Sequence, residues 1–226
     1  DVFTRGDVEV QDEGRQLLAL MVDAKRGEMV VDFCAGAGGK TLALGAAMRN
    51  TGRLYAFDTS GHRLAALKPR LARSGLSNVY PVQIAHERDD RIKRLSGKID
   101  RVLVDAPCSG LGTLRRNPDM KWRQTPDAVE ELRVKQAAIL ASAARLLKPG
   151  GRLVYATCSP LGVENEAIAD AFTEANRATF RPLAADEVLA AAHVEGAQAL
   201  VRHGFLRLWP HRHGTDGFFA AVWRRS

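Results

Sequence analysis

Short apolar runs alternate with longer amphipathic stretches along most of the chain. Five runs are bounded by turn residues and predict buried strands over 28–33, 53–58, 78–84, 99–105 and 152–157. Apolar residues at helical spacing predict helices over 11–25, 40–49, 61–74, 127–147 and 163–176. A last apolar run over 216–223 predicts one more strand. Strands that alternate with helices in this way are typical of βαβ units and a mostly parallel sheet.

Few features interrupt this pattern. The segment Lys148-Pro149-Gly150-Gly151 is a strong stop signal, so we expect the long helix to end before it and the next strand to begin at Arg152. Residues 184–203 show no clear period, and we find no internal repeat, linker or low-complexity segment. We therefore expect an N-terminal segment and helix over 1–26 and one α/β domain over 27–226.

Composition and charge agree with one α/β domain. The 226 residues are 46% hydrophobic and 26% charged, which is ordinary for a globular domain with a full core. A net charge of +7 favours a polyanionic partner such as nucleic acid, although a solvated basic face explains it equally well. No stretch approaches the length of a membrane span. The three cysteines, Cys34, Cys108 and Cys158, have neither disulfide nor zinc spacing, which indicates a reducing, cytoplasmic environment and no metal site.

A glycine-rich turn connects the first predicted strand to the next helix. It reads DFCAGAGGKT over residues 32–41. Glycines permit a tight turn and close approach of a ligand, and the helix N-terminus beside them can bind polar or anionic groups. The spacing does not fit a P-loop, but it suits nicotinamide, flavin and adenosylmethionine sites alike. Asp58 ends the second strand, where it is placed to bind the hydroxyls of a ribose; the alternative is a helix N-cap.

Two cysteines follow directly after predicted strands. Cys108 lies in DAPCSG, which begins at Asp105, and Cys158 lies in TCSP. The carboxyl ends of parallel strands meet at the edge of the sheet where ligands bind, so both thiols and the Asp105 carboxylate should converge there. Position alone leaves either thiol able to attack a substrate. Cys34 also lies in a loop, but we interpret it as part of the glycine-rich turn.

Paired thiols beside a one-carbon donor suit methylation of carbon 5 of cytosine. This carbon is a poor nucleophile until a thiolate adds to carbon 6, so covalent catalysis divides one hard step into easier ones. Asp105 would hydrogen-bond ring N3 or the exocyclic amine and so select cytosine. The base has to be unstacked to reach such a site. A nicotinamide dehydrogenase would leave the paired thiols unexplained.

Together these segments resemble the RNA cytosine-C5 methyltransferases of the Sun/Fmu (RsmB-like) type, in particular the bacterial small-subunit ribosomal RNA enzymes. The matching segments are VQD at 10–12, DFCAGAGGKT at 32–41, DAPCSGLGTLRRNPDMKW at 105–122, LKPGGRLVYATCS at 147–159, ENE at 164–166 and GTDGFFAA at 214–221. The resemblance implies a Rossmann-like, S-adenosylmethionine-dependent methyltransferase fold. Its sheet would be mostly parallel and seven-stranded, with an antiparallel last strand. Residues 27–226 would be the catalytic domain, and an RNA-binding region would precede this chain in a longer protein.

The resemblance also implies residue roles. Cys158 would be the nucleophile, and Cys108 would assist release of the methylated product. Asp58 would bind the ribose of S-adenosylmethionine, and Asp105 would lie between cofactor and base. The residues expected to hold the methionine part of the cofactor are Cys34, Ala35, Gly36, Ala37, Gly38, Gly39 and Lys40.

Three positions depart from the family pattern. Gly36 and Ala37 replace an Ala-Pro pair, and Arg15 stands where the VQD segment usually continues to a serine. Ile84-Ala85 stands where the family often has an acid near the adenine of the cofactor, so we expect His86 or Glu87 to contact the adenine instead.

A basic segment after the fourth strand is the expected RNA contact. Arg115, Arg116 and Lys121 suit phosphates, and Trp122 beside them is expected to pack in the core. Ribosomal RNA is the expected substrate, with transfer RNA second. One alternative is a DNA cytosine methyltransferase, in which Cys108 rather than Cys158 would be the nucleophile. Another is a non-catalytic RNA-binding protein with this fold, which would not bind adenosylmethionine.

Overall fold

Residues 1–226 form one nine-stranded β-sheet with helices on both faces in the computed structural model of the chain. The strands are β1 (Met29–Asp32), β2 (Arg53–Asp58), β3 (Val79–Gln83), β4 (Ile99–Asp105), β5 (Leu147–Thr157), β6 (Phe180–Leu183), β7 (Val201–Arg202), β8 (Phe205–Leu208) and β9 (Phe218–Arg225). The helices are α1 (Glu13–Val22), α2 (Gly39–Ala47), α3 (Gly61–Ser74), α4 (Asp90–Lys93), α5 (Met120–Arg123), α6 (Pro126–Ala144), α7 (Glu166–Ala175), α8 (Ala185–Ala191) and α9 (Pro210–His213).

The strand order is β3-β2-β1-β4-β5-β9-β8-β7, and β6 also pairs with β9. Strands β1 to β5 are parallel to one another, whereas β9 is antiparallel to β5, β6 and β8. The predicted mostly parallel α/β sheet with an antiparallel last strand is therefore confirmed. The pattern predicts six strands and the resemblance implies seven, but the sheet has nine, because β6, β7 and β8 lie between the fifth and last strands that the pattern predicts. Each of these three has only two to four residues, too few to show a period in the sequence.

Local polar groups explain where the main helices begin and end. Ser60 caps α3 by accepting a hydrogen bond from Arg63 N, and Gly75 ends this helix in the left-handed conformation at φ +68°. Thr125 caps α6 in the same way, and Pro126 occupies the first turn, where its missing N–H costs nothing.

The end of α6 differs from the prediction. The helix ends at Ala144, and β5 begins at Leu147 rather than at Arg152. Leu147 pairs with Ile99 of β4, and the register then shifts before Arg152 pairs with the same strand. The Lys-Pro-Gly-Gly segment is thus an irregularity inside β5, because Leu147 is fully buried in the core and holds the strand in place on its N-terminal side.

Both faces of the sheet are buried. Val102 and Val104 of β4 belong to a cluster of 24 buried residues that includes α6 and α7. Leu103, between them, belongs to a cluster of 21 that includes α1, α2 and α8. No helix is both long enough and apolar enough to cross a membrane.

Candidate active site

The segments that follow β1, β2, β4 and β5 meet at the carboxyl edge of the sheet. Lys40 Nζ, from the start of α2, lies 2.6 Å from Asp105 Oδ2 at the end of β4. The sulfurs of Cys108 and Cys158 lie 3.4 Å apart, although the residues are 50 positions apart in the chain. The structure therefore brings together the two thiols and places the Asp105 carboxylate in an ion pair near them.

The glycine-rich turn is held by the neighbouring strands. Ala35 N donates to Phe57 O of β2 at 2.8 Å. Gly38 has φ +85°, and a Cβ there would lie 2.0 Å from Leu67 Cδ1, so this position requires glycine. Gly36 has φ +56°, and a Cβ there would meet no atom within 4 Å. The turn is thus packed against α3 on one side and open on the other.

Asp58 connects β2 to this turn. Its Oδ2 accepts a hydrogen bond from Gly36 N at 2.8 Å, and its Oδ1 accepts one from Ser60 N at 2.7 Å. The alternative role considered for Asp58 was the N-cap of α3, but Ser60 is the N-cap of this helix. Binding of a ribose by Asp58 stays a prediction.

Asp32 is a buried carboxylate that the sequence analysis did not single out. Its Oδ2 accepts from Thr41 Oγ1 at 2.7 Å, whereas its Oδ1 has no partner. Burial raises the pKa of Asp32 to about 7; the Thr41 hydrogen bond opposes this rise and the charge of Asp105 adds to it. Its position at the first residue of the DFCAGAGGKT segment was a signal for it, because it ends a strand beside the turn.

The surroundings of the two paired thiols differ. The hydrogen bond from Cys108 lowers the pKa of Cys158; burial and Asp105 oppose this effect, and the positive charges of Lys40 and Arg15 support it. The same hydrogen bond, together with burial, raises the pKa of Cys108 well above its usual value. Cys158 is therefore the better thiolate of the pair, and the thiolate is the nucleophilic form of cysteine.

Cys34 lies apart from this pair. Burial raises its pKa well above the usual value, and the nearby carboxylates of Asp105, Asp32 and Asp58 raise it further. Its thiol is partly buried and packs against the core cluster under β1. These surroundings disfavour a thiolate at Cys34, in keeping with its interpretation as part of the turn.

A fully buried glutamate joins the two cysteine loops. Glu164 Oε1 accepts from Ser109 N at 2.8 Å and from Gln136 Nε2 at 2.9 Å. Its Oε2 accepts from Ser109 Oγ at 2.6 Å and from Ser159 Oγ. Ser109 follows Cys108, and Ser159 follows Cys158. In the sequence Glu164 stands out only as part of the ENE match, because its hydrogen-bond partners lie on other elements.

Further contacts hold the loop of Cys158. Gly112 N donates to Cys158 O at 2.8 Å, and Gly217 N donates to Gly112 O at 2.8 Å. Asn165 Nδ2 donates to Ser159 O at 2.8 Å. The loops after β4 and β5 and the start of β9 are thereby tied into one unit.

Arg115 and Arg116, predicted to contact RNA, form ion pairs within the chain. Both guanidinium groups contact Asp12 and Asp216, at distances of 2.7–3.1 Å. Asp12 also accepts from Asp216 N at 3.1 Å. The two carboxylates are buried, whereas the arginines are partly exposed. Through these ion pairs the cluster connects the N-terminal segment and the loop after β4 to the segment that precedes β9. RNA contact by the arginines stays a prediction.

The expectation that Trp122 packs in the core is wrong. This side chain lies on α5 and is 79% exposed, with Lys121 Nζ 4.7 Å from its ring centroid. The short helix projects from the loop after β4 because Gln124, rather than Trp122, anchors it; Gln124 Nε2 donates to Ser109 O at 2.8 Å.

The loop after β3 contains no carboxylate at the place of the family's acid. Ile84 is buried, and Ala85 N donates to Asp89 Oδ2 at 3.0 Å. His86 Nδ1 accepts from Arg88 N at 3.1 Å within the same loop. A contact of His86 or Glu87 with an adenine stays a prediction. No group of three or more His, Cys, Asp or Glu side chains is arranged to hold a metal ion.

Comparison with known proteins gives consistent matches over this architecture. The family model described as 16S rRNA methyltransferase RsmB/F matches residues 19–224. "Probable ribosomal RNA small subunit methyltransferase B" of Bacillus subtilis is 37% identical over 225 residues, which are 99% of this chain and 49% of that protein. Ribosomal RNA small subunit methyltransferase F of Aliivibrio fischeri is 36% identical over 92% of this chain and 43% of that protein. The chain thus spans about half the length of the curated relatives it matches.

Two solved structures extend the comparison to three dimensions. PH0851 has a TM-score of 0.86 and 35% identity, over 99% of this chain and 48% of that one. NSun6 from Pyrococcus horikoshii, solved with SFG, an analogue of S-adenosylmethionine, has a TM-score of 0.80 and 27% identity. That match covers 100% of this chain and 55% of the other.

Proposed function

Because the chain belongs to the 16S rRNA methyltransferase RsmB/F family, we propose that it methylates carbon 5 of cytosine in RNA through a covalent bond between Cys158 and carbon 6. S-adenosylmethionine is the cofactor of this family. The observation that carries the proposal is the pair of thiols 3.4 Å apart, beside the ion pair of Lys40 and Asp105.

The residues around the glycine-rich turn fit S-adenosylmethionine. Asp32 has a buried carboxylate oxygen without a partner, which suits the ammonium group of the methionine part. Gly36 leaves open space, and Asp58 offers a carboxylate that suits ribose hydroxyls. Segment 34–40 and Asp58 would therefore hold the cofactor, with Asp105 beside it. When bound, S-adenosylmethionine supplies the methyl group that carbon 5 of the base takes up.

The chain's own residues would divide the rest of the reaction. The Cys158 thiolate gives its electron pair to carbon 6, which makes carbon 5 electron-rich. Asp105, which Lys40 Nζ contacts at 2.6 Å, hydrogen-bonds ring N3 or the exocyclic amine of cytosine and so selects this base. After methylation the proton of carbon 5 passes to water, its C–H electron pair restores the double bond between carbons 5 and 6, and the bond between carbon 6 and sulfur breaks with its electron pair left on the Cys158 sulfur. Cys108, 3.4 Å from the leaving sulfur, assists this release.

RNA is the proposed substrate, and small-subunit ribosomal RNA is the form that the names of the relatives favour. Among the predicted RNA contacts, Arg115 and Arg116 already neutralise Asp12 and Asp216, so we expect them mainly to position the loop. Lys121 lies on the exposed helix α5 and is free to approach a phosphate.

The two cysteines separate this proposal from its alternatives. We expect Cys158→Ala to abolish methyl transfer to small-subunit ribosomal RNA, because the surroundings of Cys108 disfavour its thiolate and leave it a poor nucleophile. We expect Cys108→Ala to accumulate a protein–RNA adduct, because the leaving Cys158 sulfur loses the neighbouring thiol that stabilises its negative charge. Transfer of labelled methyl groups and adducts that survive denaturing gels measure the two effects.

Three results would point elsewhere. An active Cys158→Ala protein would refute the covalent route through this residue. The opposite pattern, with Cys108 essential and duplex DNA methylated, would favour a DNA enzyme. Methylation of transfer RNA but not of small-subunit ribosomal RNA would change the substrate and leave the chemistry in place.

A further inference from the structure

Each cysteine of the pair is followed by a serine, and both serines contact one carboxylate. Glu164 lies between the loop after β4 and the loop after β5, and its side chain is fully buried. Each of its oxygens accepts two hydrogen bonds, and three of these four bonds come from Ser109 and Ser159. The fourth comes from Gln136 Nε2, which also donates to Pro107 O.

This arrangement is an unusual way to stabilise a core. Burial of a carboxylate is unfavourable unless hydrogen bonds replace its hydration, and the groups that donate to the Glu164 side chain, on Ser109, Ser159 and Gln136, are all uncharged. A well-packed apolar residue would serve stability alone at least as well. A buried, fully hydrogen-bonded carboxylate does, however, fix the relative position of the groups that donate to it. Here those groups are the residues next to the two thiols.

We propose that Glu164 is a positioning residue for the methylation reaction. Its side chain ties the loop of Cys108 to the loop of Cys158 and so fixes the two sulfurs at hydrogen-bonding distance. The catalytic consequence rests on the proposed function, whereas the effect on the thiols does not. Tyr155 helps to hold Glu164 in place, since its hydroxyl donates to the backbone oxygen of Glu164 at 2.6 Å.

The negative charge of Glu164 also favours the division of roles between the thiols. The pKa of Cys108 is raised first by its hydrogen bond to Cys158, then by burial, and also by the charge of Glu164. Cys108 therefore keeps its proton and donates a hydrogen bond to the Cys158 sulfur. If Glu164 is lost, the two loops are free to separate, and Cys158 loses the hydrogen bond that lowers its own pKa.

Glu164→Gln and Glu164→Ala test this inference, with Glu174→Gln as the matched control. Glu174 lies on α7, the helix that begins just after Glu164, but it is exposed and paired only with Arg177. Glu164→Gln keeps the shape and one oxygen acceptor, whereas Glu164→Ala removes every bond. Ser159→Ala removes one donor to Glu164, together with the oxygen that accepts from Leu161 N and Ser109 Oγ, and repeats the test where a Glu164 variant fails to fold.

The first measurement needs no RNA. The rate of Cys158 alkylation by iodoacetamide, followed by mass spectrometry across pH, reports the midpoint of thiolate formation. Because Cys158 loses a hydrogen bond to its charged form, we expect Glu164→Ala to raise this midpoint by about one to two pH units. Glu164→Gln and Ser159→Ala should raise it less, and Glu174→Gln should leave it unchanged. A change that only lowered overall stability would not move the midpoint of the folded protein.

The second measurement is the rate of covalent adduct formation with RNA that contains 5-fluorocytidine, which blocks release. We expect Glu164→Ala to reduce this rate about 100-fold, the usual effect of a displacement of about 1 Å at a reacting group. Glu164→Gln should recover part of the rate.

The two proposals fail in different ways. A wild-type midpoint and a wild-type adduct rate in folded Glu164→Ala, or in Ser159→Ala if that variant alone folds, would overturn the positioning role. A shifted midpoint in a protein whose wild type modifies no RNA would support the positioning role and reject the proposed function.

Discussion

Asp32 makes the stability of this protein depend on pH in an unusual direction. A buried carboxyl with a pKa of about 7, against its usual 3.8, keeps its proton in the folded state while the unfolded chain loses it. Between these two values the folded state binds more protons than the unfolded state, so the free energy of unfolding falls as the pH rises. The loss is absent below pH 3.8 and complete above about pH 7.

The structure gives the size of this effect. The interval from 3.8 to about 7 is about three pH units, and each is worth about 1.36 kcal/mol, so the loss is at most about 4 kcal/mol. Asp32→Asn removes the ionisation and keeps the shape, since an amide oxygen still accepts from Thr41 Oγ1. We therefore expect wild type and variant to be equally stable near pH 4, and the variant to be more stable by up to about 4 kcal/mol at pH 8.

Urea unfolding from pH 4 to pH 8, followed by circular dichroism, measures this difference. Asp90→Asn is the control, because the hydrogen bond from Lys93 lowers the pKa of the exposed Asp90 below its usual 3.8, so Asp90 stays ionised over this range and the difference between wild type and Asp90→Asn should not change with pH. If the stability difference between wild type and Asp32→Asn stays constant over the whole range, Asp32 does not titrate as described. We also expect Asp32→Asn to weaken cofactor binding, which would explain why a costly carboxylate lies at this site.

Two further substitutions test the packing of the site and its RNA contact. A Cβ at Gly112 would lie 2.4 Å from Gly217 O and 2.7 Å from Cys158 O, so Gly112→Ala should destabilise the protein by about 1–3 kcal/mol; an unchanged Tm would contradict this. Trp122→Ala should leave Tm unchanged because the side chain is 79% exposed, yet it should weaken binding of single-stranded RNA by about 1–3 kcal/mol, the usual worth of one stacked base. Failure of RNA to quench Trp122 fluorescence, taken as the difference between wild type and variant, would rule out this contact.

The sequence was most informative where neighbours along the chain determine the structure. Strands β2 and β4 and helix α3 have the predicted bounds, because continuous apolar runs and helical spacing report burial directly. The sequence was least informative where packing determines it. Leu147 was assigned to the end of a helix, but it lies in β5 because it pairs with Ile99, far away in the chain. Trp122 is aromatic, yet it is exposed because Gln124 anchors its helix to the site.

The sequence by itself determined which groups lie at the carboxyl edge of the sheet. Strand pattern placed Asp58, Asp105, Cys108 and Cys158 there, since parallel strands end together at one edge. Only the tertiary structure decided how these groups act on one another. The 3.4 Å approach of the sulfurs and the four hydrogen bonds to Glu164 join residues from separate loops. Such contacts depend on how elements pack, and periodicity within one element carries no information about them.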